Sequence, residues 1–416
     1  MIHLSDFSLD SRVQRHARAL AERGDEVHLI CIGGAEQLSV GAGSIHVHPV
    51  RAQKARGGAG SYVRSYGNFL ARALARVTAL DARHRFDVIE GHNMPDLVVA
   101  AALAPRLRGA PVVLDVHDTF PELFAEKFSA SRQRPGTSAL RQRVGERLLR
   151  WEEWGCAALS SHVVVVTEQA RRRLNSRGVG VNGTTVVMNS PDERVFGPPR
   201  APVRWPMGGD APLRILYHGG LAPRFGVETL IRAVGLLGEE RRGEQTRPLH
   251  LRVCGAGAER ESLEALAREV APGRVEVAPE PVPFARIPGE LERAHIGVVP
   301  TEHDSFTELL LPVKLLEYVH MGLPVVASRL PCIGDYFREG EDLRMFAPGD
   351  PRDLAAALRE LSVDPAGARE RARRATRRLA PIAWERQRER YLALVDELAE
   401  APARRRARPV PLWTHR

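Results

Sequence analysis

Lys314 and Glu317 stand three residues apart in the run Pro-Val-Lys-Leu-Leu-Glu-Tyr (312–318), so on a helix their side chains leave from one face. Pro312 suits the first position of that helix, where a missing N–H costs nothing. A helix start with free N–H groups attracts phosphate. A lysine there pairs with a phosphate oxygen, and a glutamate one turn deeper accepts hydrogen bonds from a ribose diol. Leu315, Leu316 and Val319 supply an apolar stripe, Gly322 and Pro324 stop the helix, and Val325-Val326 open a buried strand. Together these describe a cradle for a nucleoside diphosphate. Of the 60 basic residues only Lys54, Lys127 and Lys314 are lysines, so the choice of lysine here is unusual for this chain, although a solvated lysine is the plainer reading.

Other residues could join such a site. Gly219-Gly220 follows an apolar strand and precedes a helix, where only glycine lets the backbone approach a phosphate closely, and an ordinary strand–helix turn is the competing reading. Arg224 offers a fork of donors to a diphosphate, or is a surface arginine. Gly255-x-Gly257 has the same ambiguity, and Arg260 breaks a full dinucleotide fingerprint. The chain contains no Asp-x-Asp pair, the usual mark of a metal-chelated nucleotide sugar. His117 falls just past the apolar run 112–116, in position to bond a sugar hydroxyl or handle a proton, or else to be a satisfied structural histidine. Asp118 orients it or caps the next helix. His92, after the expected strand 86–89, is a weaker candidate of the same kind. His3, Asp6 and Asp10 lie in the first strand–helix loop, with Asp10 or Ser11 as an N-cap.

The elements that must position these residues alternate. Expected helices are 11–23, 61–80, 95–107, 138–159, 227–237, 259–270, 287–294, 351–361 and 382–399. Expected strands are 27–32, 86–89, 111–116, 163–166, 184–188, 213–217, 249–254, 274–277 and 296–299. Short, nearly continuous apolar strands between amphipathic helices indicate parallel sheets covered on both faces, a doubly wound α/β class. Six prolines between 191 and 212, with little periodicity, mark a linker. The reading is two Rossmann-like domains facing a cleft, with ligands outside the carboxyl ends of the strands. Trp151 and Trp154 share their helix with Arg141, Arg143, Arg147 and Arg150. Glu146, Glu152 and Glu153 dilute that basic face, which favours a core-packed helix over a membrane-surface one.

Composition sets the outer bounds. With 416 residues and 44% apolar content, two or more sizeable domains are expected. No run of eighteen apolar residues exists to span a bilayer, and the N-terminus has no basic leader or cleavable apolar segment. Cys31, Cys156, Cys254 and Cys332 lie far apart, so neither a disulfide framework nor a zinc site is expected, and a reducing cytoplasm is the default compartment. The net charge of +9 owes five arginines to the acid-free tail 404–416, expected to be disordered, and the arginine bias does not indicate nucleic-acid recognition.

Over roughly residues 1–398 the chain resembles family 4 glycosyltransferases, retaining enzymes of GT-B fold. The resemblance rests on Asp10-Ser-Arg-Val with Glu22-Arg-Gly-Asp-Glu-Val, on Asp87-Val-Ile-Glu-Gly-His and Asp115-Val-His-Asp, and on Val186-Val-Met-Asn-Ser-Pro-Asp-Glu-Arg-Val-Phe. Further matches are Tyr217-His-Gly-Gly-Leu-Ala-Pro-Arg-Phe-Gly-Val, Pro312-Val-Lys-Leu-Leu-Glu-Tyr with Gly322-Leu-Pro-Val-Val-Ala, and the helix carrying Trp384. It implies an acceptor domain 1–190, a linker 191–212, a donor domain 213–378, a C-terminal helix 379–400 returning to the first domain, and the basic tail 401–416. It also implies that Glu317 holds the donor ribose, that Lys314 and the amides around Leu310 and Leu311 meet the diphosphate, and that His117 lies near the transferred sugar. The pattern departs at Leu309, where the family has a first glutamate, and at Gly220 and Phe225, where the donor loop usually carries an Arg and a Lys; Arg224 is the candidate replacement.

The expected activity is retaining transfer of a hexosyl or N-acetylhexosaminyl group from a nucleotide sugar, UDP- or GDP-linked, to a glycan, lipid-linked or natural-product hydroxyl. Its catalytic residues are His117 and Asp118, its donor-binding residues Gly219, Gly220, Arg224, Leu310, Leu311, Lys314 and Glu317, and its acceptor-side residues Asp10 and His92. No metal, no cofactor beyond the nucleotide-sugar co-substrate and no nucleic-acid partner is expected; peripheral contact with the inner membrane face stays open. The alternatives are a nucleotide-sugar epimerase or hydrolase on the same fold, and a non-catalytic protein binding polyanions or membrane surfaces.

Overall fold

The computed structural model describes residues 1–7, 10–33, 38–40, 43–52, 59–131, 139–180, 183–205, 211–240 and 247–400. The expected basic tail, and part of the proline-rich segment, lie outside these. The chain divides into two compact units, the first Met1–Met188 with the segment from Glu385, the second Asn189–Trp384.

The first unit is built on strands β1 (Ile2–His3), β2 (Glu26–Cys31), β3 (Leu38–Val40), β4 (Gly43–Pro49), β5 (Ile89–His92), β6 (Val112–Val116), β7 (His162–Val165) and β8 (Thr184–Val186). They form one sheet in the order β3-β4-β2-β1-β5-β6-β7-β8, parallel except for the β3–β4 pair. The order reverses direction at β1, so the carboxyl ends of β1 and β5 flank the point where ligands gather in such sheets. Helices α1 (Ser11–Arg23), α2 (Ala59–His84), α3 (Leu103–Leu107), α4 (Phe120–Ser131), α5 (Ala139–Leu159) and α6 (Glu168–Asn175) connect them. Helix α1 shows how local rules set an element. Asp10 caps it by accepting from the amides of Arg12 and Val13, Val13, Ala17 and Ala21 bury one stripe, and Gly24 ends it at φ 111°.

The second unit starts with α7 (Glu193–Phe196) and holds β9 (Leu213–Gly220), α8 (Val227–Glu240), β10 (Leu249–Ala256), α9 (Arg260–Val270), β11 (Val275–Val277), α10 (Ile287–Glu292), β12 (Ile296–Val299), α11 (Val313–His320), β13 (Val325–Ser328), α12 (Pro331–Tyr336), β14 (Arg344–Phe346), α13 (Pro351–Val363) and α14 (Pro365–Leu379). Its sheet runs β11-β10-β9-β12-β13-β14, parallel throughout, and reverses between β9 and β12. Tyr217, Ile215, Val253, Val298 and Val326 from four of its strands pack in one core with Leu230, Ile231 and Leu358 of its helices. Helix α15 (Trp384–Glu400) belongs to the first unit from Glu385 onward: Gln387 accepts from the Met188 amide at 2.9 Å and Tyr391 donates to Glu90 at 2.6 Å.

Several expectations shift. Strand β5 runs 89–92 rather than 86–89, because Glu90 and His92, polar in the sequence, are buried against partners deep in the unit. The expected helix 95–107 is a 3-10 turn over Asp96–Ala102 followed by the short α3. That tight turn brings Val98 and Val99 onto Gly91, where a Cβ would come within 2.8 Å of the Val99 side chain. Pro312 is the N-cap of α11, not its first residue, since the chain arrives extended from a 3-10 turn at Thr307–Leu309. The expected core-packed Trp helix is packed on one face only: Cys156 and Ala157 of α5 are buried, whereas Trp151 and Trp154 are 60% and 48% exposed. Of the acids said to dilute its basic face, Glu153 is buried against Arg177 at 3.1 Å and Glu152 accepts from the Leu97 amide at 3.0 Å.

Candidate active site

In the second unit the candidate donor residues gather at the carboxyl end of β9. Gly219 and Gly220 do not follow the strand; they are its last two residues, paired with Gly255 and Ala256 of β10. Each must lack a side chain. At Gly219, φ is 128° and a Cβ would lie 2.8 Å from Lys314 Nζ; at Gly220 it would lie 2.6 Å from the Phe225 ring. Gly255 and Gly257 answer a different need, since Cβ atoms there would meet the carbonyls of Gly219 and Leu221 at 2.3 and 2.0 Å. They let two backbones cross, which is the structural reading of that pair.

Lys314 reaches from α11 to this strand end. Its Nζ donates to Tyr217 Oη at 3.0 Å, and Tyr217 Oη donates to the Gly220 carbonyl at 2.6 Å. The ammonium sits 4.2 Å from the Tyr217 ring centre and 4.9 Å from that of Phe225. Phe225, the residue standing where a lysine is usual, thus frames the remaining cation instead of adding another. Removal from water pushes Lys314 down to about 7, against an opposing pull from Glu317. Glu317 is buried, with Oε2 3.1 Å from His218 Nε2, and the Tyr318 hydroxyl accepts from the His218 amide at 3.1 Å.

The other donor residues divide. Leu310 does not offer its amide, which donates to the Thr307 carbonyl at 3.2 Å and closes the 3-10 turn. The amides of Leu311, Val313 and Lys314 have no acceptor among the described residues, as expected at a helix start. The Arg224 guanidinium lies 5.6 Å from the Phe225 ring and 5.7 Å from that of Phe306, beside the same loop.

In the first unit the candidate imidazoles converge at the carboxyl ends of β1, β5 and β6. His117 Nε2 lies 3.1 Å from Asp115 Oδ2 and 3.2 Å from His92 Nδ1, its Nδ1 lies 3.7 Å from Asp10 Oδ2, and its amide donates to Asn93 Oδ1 at 2.7 Å. His3 Nε2 is 3.4 Å from Asp10 Oδ2. Asp10 therefore serves as N-cap and as partner to two histidines at once. Asp118 places its carbonyl on Asn93 Nδ2 at 2.7 Å, which anchors the turn after β6.

Beneath His117 lies a charge network of which sequence reasoning singles out only His92 as a candidate. Arg12 grips Asp115 through two bonds of 2.9 and 2.7 Å and donates to the Val187 carbonyl at 2.8 Å. His92 Nδ1 is 3.0 Å from the same carboxylate. His16 Nδ1 is 3.1 Å from Glu90, whose other oxygen accepts from Tyr391. Burial alone raises the Asp115 carboxyl, but Arg12 and His117 outweigh it and hold it well below the ordinary range. Burial alone lowers His117, yet Asp115 outweighs that and raises it. The available signal was an acid or a histidine inside an apolar strand, because a buried charge demands a partner.

Comparison with known proteins follows this division. A glycosyl transferase 4-like domain model matches residues 9–190 and a glycosyl transferases group 1 model matches residues 212–364. The chain belongs to the group 1 glycosyltransferases of family 4 type. A glycogen synthase from Mycobacterium tuberculosis is 26% identical over 326 residues, 77% of this chain and 71% of that one. A D-inositol 3-phosphate glycosyltransferase from Thermobispora bispora is 26% identical over 308 residues, 72% of this chain and 67% of that one. The glycosyltransferase has GT-B fold. Sucrose-phosphate synthase from Thermosynechococcus elongatus superposes with a TM-score of 0.72 at 19% identity, covering 96% of each chain. HepE from Anabaena in complex with UDP does so at 0.64 and 12% identity, over 95% of this chain and 99% of that one.

Proposed function

We infer that this glycosyltransferase moves a hexosyl or N-acetylhexosaminyl group from a nucleotide-diphosphate sugar to a hydroxyl with retention of configuration. One observation carries the reading: at the carboxyl end of β9 two side-chain-free residues, a lysine framed by two aromatic rings and a buried glutamate converge. Lys314 and the amides at the start of α11 suit a leaving diphosphate, whose negative charge grows as the glycosidic bond breaks. Glu317, fixed near His218, suits the ribose hydroxyls. The anomeric carbon becomes oxocarbenium-like, and the departing phosphate guides the acceptor to the same face. His117, whose proton affinity Asp115 raises, donates a hydrogen bond to a sugar hydroxyl, with Asp10 and His92 beside its ring. No metal is needed for this charge stabilisation. Structures of HepE with UDP, and with UDP and glucose, support a UDP-sugar as the first donor to try. The test is a thermal-shift screen of UDP-, GDP-, ADP- and dTDP-sugars on wild type and Glu317→Ala. Stabilisation by one nucleotide class that Glu317→Ala loses supports the reading; equal stabilisation of both proteins refutes the ribose role.

The exposed face of α5 supports peripheral contact with a membrane surface. Val144, Leu148, Trp151 and Trp154 share it with Arg143, Arg147 and Arg150, and no acid is exposed among them. Among the described residues no helix is long and apolar enough to cross a bilayer. Sedimentation with anionic phospholipid vesicles should be lost in Leu148→Ala/Trp151→Ala, and equal sedimentation of that variant would reject the surface.

A further inference from the structure

We propose that Glu26, His28, His46 and His84 bind one divalent transition-metal ion of the zinc class, toward the opposite end of the first unit's strands from His117. Strands β2 and β4 run parallel with His28 opposite His46. Glu26 and His28, two residues apart on β2, share a face, and His84 ends α2 beside them. Glu26 Oε1 is 3.0 Å from His28 Nε2, 3.4 Å from His46 Nε2 and 3.8 Å from His84 Nδ1. The donor atoms of Glu26, His28 and His46 all lie within 4.8 Å of one another. Four ligands at zinc–nitrogen and zinc–oxygen distances in a tetrahedron stand about 3.3 Å apart, so small side-chain rotations bring Glu26, His28 and His46 onto one ion, and a larger rotation of the exposed His84, 3.8 Å from Glu26, adds the fourth. Imidazole with carboxylate is the donor set of zinc, nickel and cobalt rather than of magnesium or calcium. Glu26, His28 and His84 also border a cavity of about 330 Å³, which gives an ion its approach. Glu26 is the first residue of β2, whereas His3, His92 and His117 lie at carboxyl ends of neighbouring parallel strands, so this site is separate from the one described above.

The surrounding groups set a specific condition. Arg76 Nη2 lies 3.1 Å from His48 Nδ1, and arginine only donates, so His48 carries its hydrogen on Nε2. His48 Nε2 is 2.9 Å from His28 Nδ1, which must then accept, leaving the His28 hydrogen on Nε2 toward Glu26. Metal at His28 Nε2 moves that hydrogen to Nδ1, where it is donated to His48 Nε2; the His48 hydrogen passes to Nδ1, and the exposed Arg76 swings away. No proton is lost overall, and His48 becomes the outer partner that orients a ligating imidazole. His46 Nε2 exchanges Ser44 Oγ, now at 2.8 Å, for the ion. Arg76 is therefore a competitor. The buried set His16, Glu90, His92 and Asp115 is the weaker candidate, since Arg12 and Tyr391 already satisfy its carboxylates.

The experiment is titration of the metal-stripped, untagged full chain with Co²⁺ alone, followed by visible absorption and displacement with Zn²⁺. One ion per chain with a tetrahedral cobalt spectrum is expected. His46→Ala and His84→Ala, both at partly exposed positions, should each weaken binding by about tenfold or more, the double variant should abolish it, and Arg76→Ala should tighten it severalfold. Circular dichroism establishes that the variants fold. Binding that survives the double variant, or absence of a stoichiometric complex in wild type, overturns the proposal.

Discussion

If Lys314 meets the donor diphosphate as proposed, donor binding depends on pH in a calculable way. Burial beside Tyr217 and Phe225 holds it at about 7, whereas a bound diphosphate would restore the charged form. Binding above that pH takes up a proton. The charged fraction of a group titrating at 7 falls from about nine-tenths at pH 6 to about one-tenth at pH 8, so affinity should drop roughly tenfold over that interval and about tenfold for each further unit, or about 1.4 kcal/mol per unit. The ligand should be an intact nucleotide sugar, whose diphosphate has no ionisation near neutrality. Calorimetry in buffers of different ionisation enthalpy should show about half a proton taken up at pH 7 and nearly one at pH 8. Lys314→Arg stays charged throughout and should bind with a flat profile. A wild-type affinity constant from pH 6 to 8.5, or the same slope in Lys314→Arg, would refute the reasoning.

Other consequences follow from single contacts. His117→Ala should lower kcat by about a hundredfold with little change in donor KM, read from initial rates over a range of donor concentrations, as for loss of a positioned hydrogen-bond donor whose contact strengthens in the transition state. Asp115→Ala strands the Arg12 guanidinium, buried with two bonds to that carboxylate, and should cost about 3–5 kcal/mol in urea unfolding of the first unit. In Asp115→Asn the His117 titration followed by NMR should move down from its raised position; an unmoved value would assign that elevation to other groups. Gly226→Ala combines a φ of 63° with a Cβ 1.7 Å from the Pro300 carbonyl, and should lower the Tm of the second unit and loosen the loop carrying Arg224 and Phe225.

The alternation of apolar runs with amphipathic stretches was enough to read two doubly wound units, because a strand covered on both faces must be apolar throughout and a helix covered on one must not. Helix α1 and strand β12 appear at the residues expected, 11–23 and 296–299. Short or polar-bearing elements escaped: β4 carries two histidines and β14 starts with an arginine, so their sequences lack the run that signals a strand. Strand β5 was placed three residues early because Glu90 and His92 look like loop residues until Tyr391, His16 and Asp115 are brought against them.

What the sequence by itself determined was which groups are candidates for phosphate, ribose and hydroxyl, Lys314, Glu317 and His117, since spacing along one helix or at one strand end is a local property. Only tertiary structure decided how those groups are tuned. Phe225 and Tyr217 desolvate Lys314 across 89 and 97 residues of chain, and Arg12 reaches 103 residues along the chain to hold Asp115 beneath His117. It also turned Glu152 and Glu153 inward and left Trp151 outside, and drew Glu26, His28, His46 and His84 from three elements into one cluster. Proton affinity and metal affinity depend on distance in space and on lost water, and neither quantity is carried by the order of residues alone.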